Sequence, residues 1–152
     1  MAKDRWLEPA EERAWRALQF MQMRLAAELA RQLAAESSLS YPEYLVLVAV
    51  TDRTDGSARL HQLARDLGWE QSRLSHLVRR MVERGLLTKE PCDTDRRGAF
   101  VLATDHGRAE IAAAAPGHVA AVHRLFLDRL TADQIVAVGA AAEAVLAGFP
   151  DD

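Results

Sequence analysis

Between Arg59 and Gly85 the chain repeats one short pattern. Leu60, Leu63, Ala64 and Leu67 fall at i, i+3, i+4 and i+7, and Gly68 comes directly after them. Leu74, Leu77, Val78 and Met81 repeat that spacing, and Gly85 comes after Arg84. Apolar side chains three and four residues apart form one stripe of an α-helix. Glycine reaches the left-handed backbone conformation that ends a helix without a steric penalty. The pattern predicts helices near 60–67 and 71–84, joined by a turn through Trp69 and Glu70. Two short amphipathic helices linked in this way form a helix-turn-helix. Both stripes need a common core, so the flanking sequence must supply one.

The segment after Gly85 narrows the choice further. Leu86–Glu90 and Ala99–Ala103 read as strands. The polar stretch Pro91–Gly98 between them carries Asp93, Asp95, Arg96 and Arg97. The expectation is a β-hairpin wing over 86–103 with a basic tip, hence a winged helix over 41–108. With the apolar stripe of the second helix turned inward, Ser72, Arg73, Ser75, His76, Arg79 and Arg80 face outward. Arginine pairs bidentately with guanine, and serine and histidine reach base edges or phosphates. Arg96 and Arg97 suit the minor groove, whose negative potential attracts guanidinium groups. The charge distribution agrees. Met1–Ala58 has 7 basic and 9 acidic residues, net −2; Arg59–Arg108 has 10 and 7, net +3; Ala109–Asp152 has 2 and 6, net −4. A basic middle between acidic ends suits a chain that offers one face to a polyanion.

The flanks read as helix. The first helix begins near Glu8, with Pro9 in an early position that tolerates proline. Trp15, Leu18, Met21, Leu25, Leu29 and Leu33 form its stripe, and Phe20, Met23, Ala26, Ala27 and Ala30 widen it past one face. So broad an apolar surface calls for a partner besides the helix's own core. Ser40 is the expected N-cap of a second helix, with Pro42 and Glu43 in its first turn. Tyr44–Val50 is valine-rich and competes as a strand. The cap before it and the turn residues Asp52–Ser57 after it favour a buried helix. Beyond the wing, Thr104 or Asp105 caps a helix that Pro116 is expected to kink or split before it continues to about Leu130. Thr131 and Gln134 match a capping box for a last helix ending near Gly148. The fold class is therefore mainly α with a small β-hairpin wing, in a single domain over 1–152.

The chain resembles the MarR family of bacterial transcriptional regulators over nearly its whole length. The family's wing signature is Asp-x-Arg, six residues, then Thr. Here it is Asp95-Arg96-Arg97, Gly98–Ala103, Thr104. Leu74-Ser75 through Glu83-Arg84-Gly85-Leu86-Leu87 resembles the recognition helix and its exit into the wing. Thr104-Asp105-His106-Gly107 resembles the Thr-x-x-Gly start of the next helix. Ala103 departs from the leucine common before that threonine. The resemblance implies a homodimer whose helices at 8–36 and 109–149 intertwine. It implies a repressor that binds a pseudo-palindromic operator in double-stranded DNA and is released by a small-molecule effector. Arg97 would be the wing-tip arginine of the minor groove, and Asp95 would orient it through a salt bridge. Arg73, Ser75 and His76 would fall at base- or phosphate-contacting positions. An effector in such proteins binds near the first, second and fifth helices, which makes Trp15, Phe20, Tyr41 and Tyr44 the candidate pocket residues. The alternative reading is a winged-helix module that binds protein; a basic wing tip argues against it.

Other classes find little support. At 49% hydrophobic and 27% charged residues the composition is that of a globular protein. No stretch approaches 18 consecutive apolar residues, so a membrane partner is not expected. Met1–Ala10 has charges around Trp6 and no apolar core, unlike a signal peptide. A cytoplasmic protein is expected. The single cysteine, Cys92, excludes an internal disulfide and a Cys₂His₂ or Cys₄ zinc site. Cys92 at the base of the wing reads as turn filler, without a resolving partner for redox chemistry. His118 and His123 are five apart on a helix and diverge, so no metal site and no cofactor are expected. The histidines read as exposed or hydrogen-bonded. Neither a Gly-x-Ser-x-Gly elbow nor a phosphate-binding loop is present, and an enzyme is not expected.

Overall fold

The computed structural model describes residues 5–91 and 98–150. In chain order it forms α1 (Pro9–Glu36), α2 (Tyr41–Thr51), β1 (Ser57–Arg59), α3 (Leu60–Leu67), α4 (Gln71–Glu83), β2 (Leu87–Pro91), β3 (Ala99–Ala103), α5 (Asp105–Leu125), a 3-10 turn (Leu127–Arg129) and α6 (Ala132–Leu146). The chain divides into two compact units, residues 30–118 and the two ends up to 29 and from 119. The boundaries fall inside α1 and α5.

Unit 30–118 holds the helix-turn-helix and the sheet around one core. Leu33, Leu47, Val50, Leu63, Leu74, Met81, Leu86 and Val101 are among its buried side chains. The repeated sequence pattern is repeated in hydrogen bonds. After α3, Trp69 N–H donates to Ala64 O and Gly68 N–H to Arg65 O. After α4, Leu86 N–H donates to Met81 O and Gly85 N–H to Val82 O. Both are Schellman endings, and Gly68 and Gly85 take the positive φ they require, 65° and 75°. α2 is the buried helix the cap predicted. Ser40 Oγ accepts from Glu43 N–H, and the Glu43 carboxylate accepts from Ser40 N–H.

The sheet has three strands in the order β1-β3-β2, all antiparallel. β2 and β3 are the expected hairpin, with Leu87 opposite Ala103 and Pro91 opposite Ala99. β1 was not expected. It pairs Ser57, Ala58 and Arg59 with Leu102, Val101 and Phe100. Asp55 accepts hydrogen bonds from the Ser57 N–H and hydroxyl and delivers the chain to this edge.

The wing is joined to α5 by the Thr-x-x-Gly motif. Thr104 Oγ1 accepts from Gly107 N–H at 2.9 Å, which makes Thr104 the cap, and its hydroxyl donates to Gly85 O at 2.5 Å. Gly107 is needed for the close approach: a Cβ there would collide with the backbone oxygen of Leu86. One side chain thus fastens the start of α5 to the end of α4. α5 is continuous through Pro116, so the helix is not split there, and it stops at Leu125, short of Leu130. Proline removes one donor. Ala112–Ala115 before it has the highest helix propensity, which offsets that loss.

In the other unit, Leu29 and Ala121 are buried, whereas α6 buries none of its residues. α6 opens on the expected capping box, Thr131 with Gln134.

Candidate nucleic-acid interface

α4 turns Leu74, Leu77, Val78 and Met81 into the core. Ser72, Arg73, His76, Arg79 and Arg80 are exposed and Ser75 is half-buried. At about 100° per residue, Ser72, His76 and Arg79 occupy the centre of the solvent face. Arg73 and Arg80 lie on one flank and Ser75 on the other. The six predicted residues therefore share one helix surface, three of them arginines.

Two contacts order this surface. The Arg73 guanidinium lies 5.0 Å from the centre of the Trp69 ring. Stacking on the indole narrows the positions of the guanidinium and leaves its N–H edge free to donate. Arg79 Nη2 lies 3.2 Å from His76 Nδ1. Arginine has no acceptor, so Nδ1 accepts in this contact and a neutral His76 carries its proton on Nε2. Ser75, His76, Arg79, Val82 and Lys89 line a cleft of about 320 Å³ between α4 and β2. Lys89 extends the cationic surface onto the wing; its strand position had pointed only to the hairpin. The wing-tip residues Asp95, Arg96 and Arg97, and with them Cys92 and Asp93, lie outside the described residues.

The end of α4 is held by a pair that the sequence did not disclose. Arg84 Nη1 donates to Glu43 Oε1 at 2.5 Å and Nη2 donates to Ser38 O at 2.9 Å. Burial by itself would raise the Glu43 carboxyl. The hydrogen bonds from Arg84 and the Ser40 backbone, with the guanidinium charge, outweigh it and hold the carboxyl below the ordinary carboxylate value. The same hydrogen bond raises Arg84. Forty-one residues separate the two, so no local spacing could have revealed them.

The candidate effector residues divide. Tyr44 is buried and Tyr41 half-buried, and both face His118, with ring centres 4.4 and 6.1 Å from it. Burial raises both phenols and lowers His118. His118 Nδ1 and the nearby Gln32 Oε1 are buried with no hydrogen-bond partner among the described residues. His118 is thus half-buried, with Nδ1 unsatisfied among the described residues. Trp15 and Phe20 are 53% and 62% exposed. They lie about 140° apart around α1 and so face different ways.

The model of the MarR family matches residues 37–98. AbsC, a MarR family transcriptional regulator of Streptomyces coelicolor, is 32% identical over 93% of this chain and 95% of its own, with a TM-score of 0.83. Sco3205, a MarR family regulator of the same organism solved in complex with DNA, is 34% identical over 97% of this chain and 94% of its own, with a TM-score of 0.87. BpsR of Bordetella bronchiseptica, whose DNA binding is regulated by 6-hydroxynicotinic acid, is 22% identical over 88% of this chain and 98% of its own, with a TM-score of 0.75. At that identity the likeness speaks for the fold alone. No curated protein matches the chain significantly.

Proposed function

The chain belongs to the MarR family of transcriptional regulators, and on that premise we propose that it is a homodimeric repressor released from its operator by a small molecule. Members of the family regulate transcription and are not enzymes. The observation that carries the reading is the solvent face of α4. Arg73, Arg79 and Arg80 stand exposed on it beside Ser72, Ser75 and His76, in a chain with 34% identity to a regulator solved on DNA.

In this reading α4 enters the major groove and the wing tracks the backbone. Arg73, Ser75 and His76 meet base edges or phosphates, and Ser72, Arg79 and Arg80 anchor the helix on the strands. Arg96 and Arg97 reach the minor groove, with Asp95 orienting Arg97. Residues 8–36 and 109–149 supply the dimer surface, a role supported by their exposed apolar side chains. Two winged helices then meet successive major grooves of a pseudo-palindrome about one helical turn apart. The effector acts near Tyr41 and Tyr44, with Trp15 and Phe20 as further candidates. It releases DNA only by favouring one dimer geometry over another. The place of action is the bacterial cytoplasm, where the operator is, and no cofactor is required.

Titrating salt against binding to a random duplex tests the reading. Phosphate contacts release counterions, so affinity should fall by about 10³–10⁵ between 50 and 200 mM salt if six to ten contacts form. Binding that ignores salt, or no binding to DNA at any salt, would favour the protein-binding module instead. Selection of bound sequences from a random pool should then return a two-fold symmetric site.

A further inference from the structure

We propose that Arg84 is the positioning residue of the recognition helix, the point through which α1, α2 and α5 set the angle at which α4 is presented to DNA. The inference rests on the proposed function, in which two copies of the chain bind two half-sites. Arg84 is the residue on which α4 ends. Its guanidinium reaches in two directions, to Glu43 on α2 and to Ser38 O in the α1–α2 loop. The Ser38 hydroxyl in turn donates to Glu110 Oε2 on α5. On the other side of the same helix end, Gly85 O accepts from Thr104, the cap of α5. The α1–α2 loop, α2 and α5 thus meet at this one helix terminus.

The Glu43 carboxylate makes the joint stiff. It is 7% exposed, and its two oxygens are both committed. Oε1 accepts from Arg84, and Oε2 accepts from Ser40 N–H at 2.9 Å. The carboxylate cannot rotate without giving up either the α2 cap or the arginine. Among the described residues, no ion pair holds the opposite end of α4 to another helix in this way. Glu70 there makes no side-chain capping hydrogen bond, and packing of the apolar stripe holds that end. α4 is therefore a lever fixed at Arg84, with its N-terminal end toward the groove. Thirteen residues span roughly 20 Å, so a tilt of about 5° moves the far end by about 1.7 Å. A hydrogen bond to a base edge does not survive such a shift. Lysine can replace the arginine only in part, because only the planar fork donates along two fixed directions.

The test uses the full-length protein and the duplex that the wild type selects from random DNA. Affinity is measured for that duplex, for versions with one base pair inserted or removed between the half-sites, and for a random duplex. Glu43→Gln keeps an acceptor for Ser40 N–H and removes the charge that holds Arg84. Arg84→Met removes the fork and Arg84→Lys keeps only the charge. Glu43→Gln and Arg84→Met should lower discrimination among spacings by about tenfold or more. Affinity for the random duplex should stay within about twofold, and Arg84→Lys should recover part of the loss. A purely structural role would shift the melting temperature and leave spacing discrimination intact. If Glu43→Gln, folded by circular dichroism, discriminates as the wild type does, the proposal is overturned even should Arg84→Met fail to fold. If the wild type itself shows no preference for a two-half-site duplex, the dimeric reading falls first and this inference with it.

Discussion

His118 packs against Tyr44 and Tyr41, with Nδ1 buried and unpartnered among the described residues. Burial holds its pKa below the ordinary 6.5, so the unfolded chain takes up the proton first. The stability that depends on neutral His118 is complete above about pH 6.5 and is lost as the pH falls through that value toward the lower folded one. Glu43 acts in the same direction in a different window. Its carboxyl is lowered, so the stability it contributes is complete above the ordinary 4.5 and is lost as the pH falls below it. Urea unfolding should give a lower midpoint at pH 5.5 than at pH 7. His118→Phe should flatten that step, and Glu43→Gln should leave it in place and blunt only the decline below pH 4.5. An unchanged step in His118→Phe would show that another group titrates there. Neither role is legible in the sequence, where His118 is weighed only as a metal ligand beside His123. Glu43 read as a first-turn acid for the helix dipole, and its partner comes from the far end of a different helix.

The elements were largely legible because each carries its own punctuation. Ser40 with Glu43, Thr131 with Gln134, Gly68 and Gly85 mark helix ends by local chemistry, and the helices begin or stop there. β1 was missed because three residues give a single alternation, and its pairing with β3 is non-local. The helix is not split at Pro116 because one lost hydrogen bond does not outweigh an alanine-rich helix on either side. For the interface, helical phase was enough to gather six residues of α4 on one surface, but not to foresee the Trp69 stack or Lys89. This separation gives an element-level expectation. Arg73→Ala and His76→Ala should change the ranking of operator variants, at about 1–3 kcal/mol per lost base contact. Arg97→Ala, on the wing, should weaken binding to all duplexes and leave the assembly state unchanged. Binding measured across a panel of single-base operator variants separates the two. A uniform loss for Arg73→Ala would make that residue a phosphate anchor.

Across the whole molecule, burial is uneven. Residues 30–118 enclose a core of their own, while α6 buries nothing within the chain. Val136 is 72% exposed and Leu146 65% exposed, and Ile135, Val138, Val145 and Phe149 are exposed with them. Scattered exposed leucines are ordinary, but an apolar helix that buries none of its residues is not the state of a stable monomer. This asymmetry yields a sharp expectation for Leu146→Asp. In a solitary chain the new carboxylate would sit in water and change stability by no more than about 0.5 kcal/mol. In a dimer built through 109–149 it would be an unpaired charge at a desolvated contact, a cost of about 3–5 kcal/mol. Sedimentation of the variant at micromolar concentration should therefore show dissociation. Binding to the two-half-site duplex should fall in parallel, because a monomer engages one half-site at a time. The salt-dependent binding to random DNA should survive in part, since each winged helix keeps its own core. A Leu146→Asp protein that sediments and binds the operator like the wild type would place the dimer contact elsewhere. A wild type that sediments as a monomer and still holds the full operator tightly would remove the two-fold arrangement altogether.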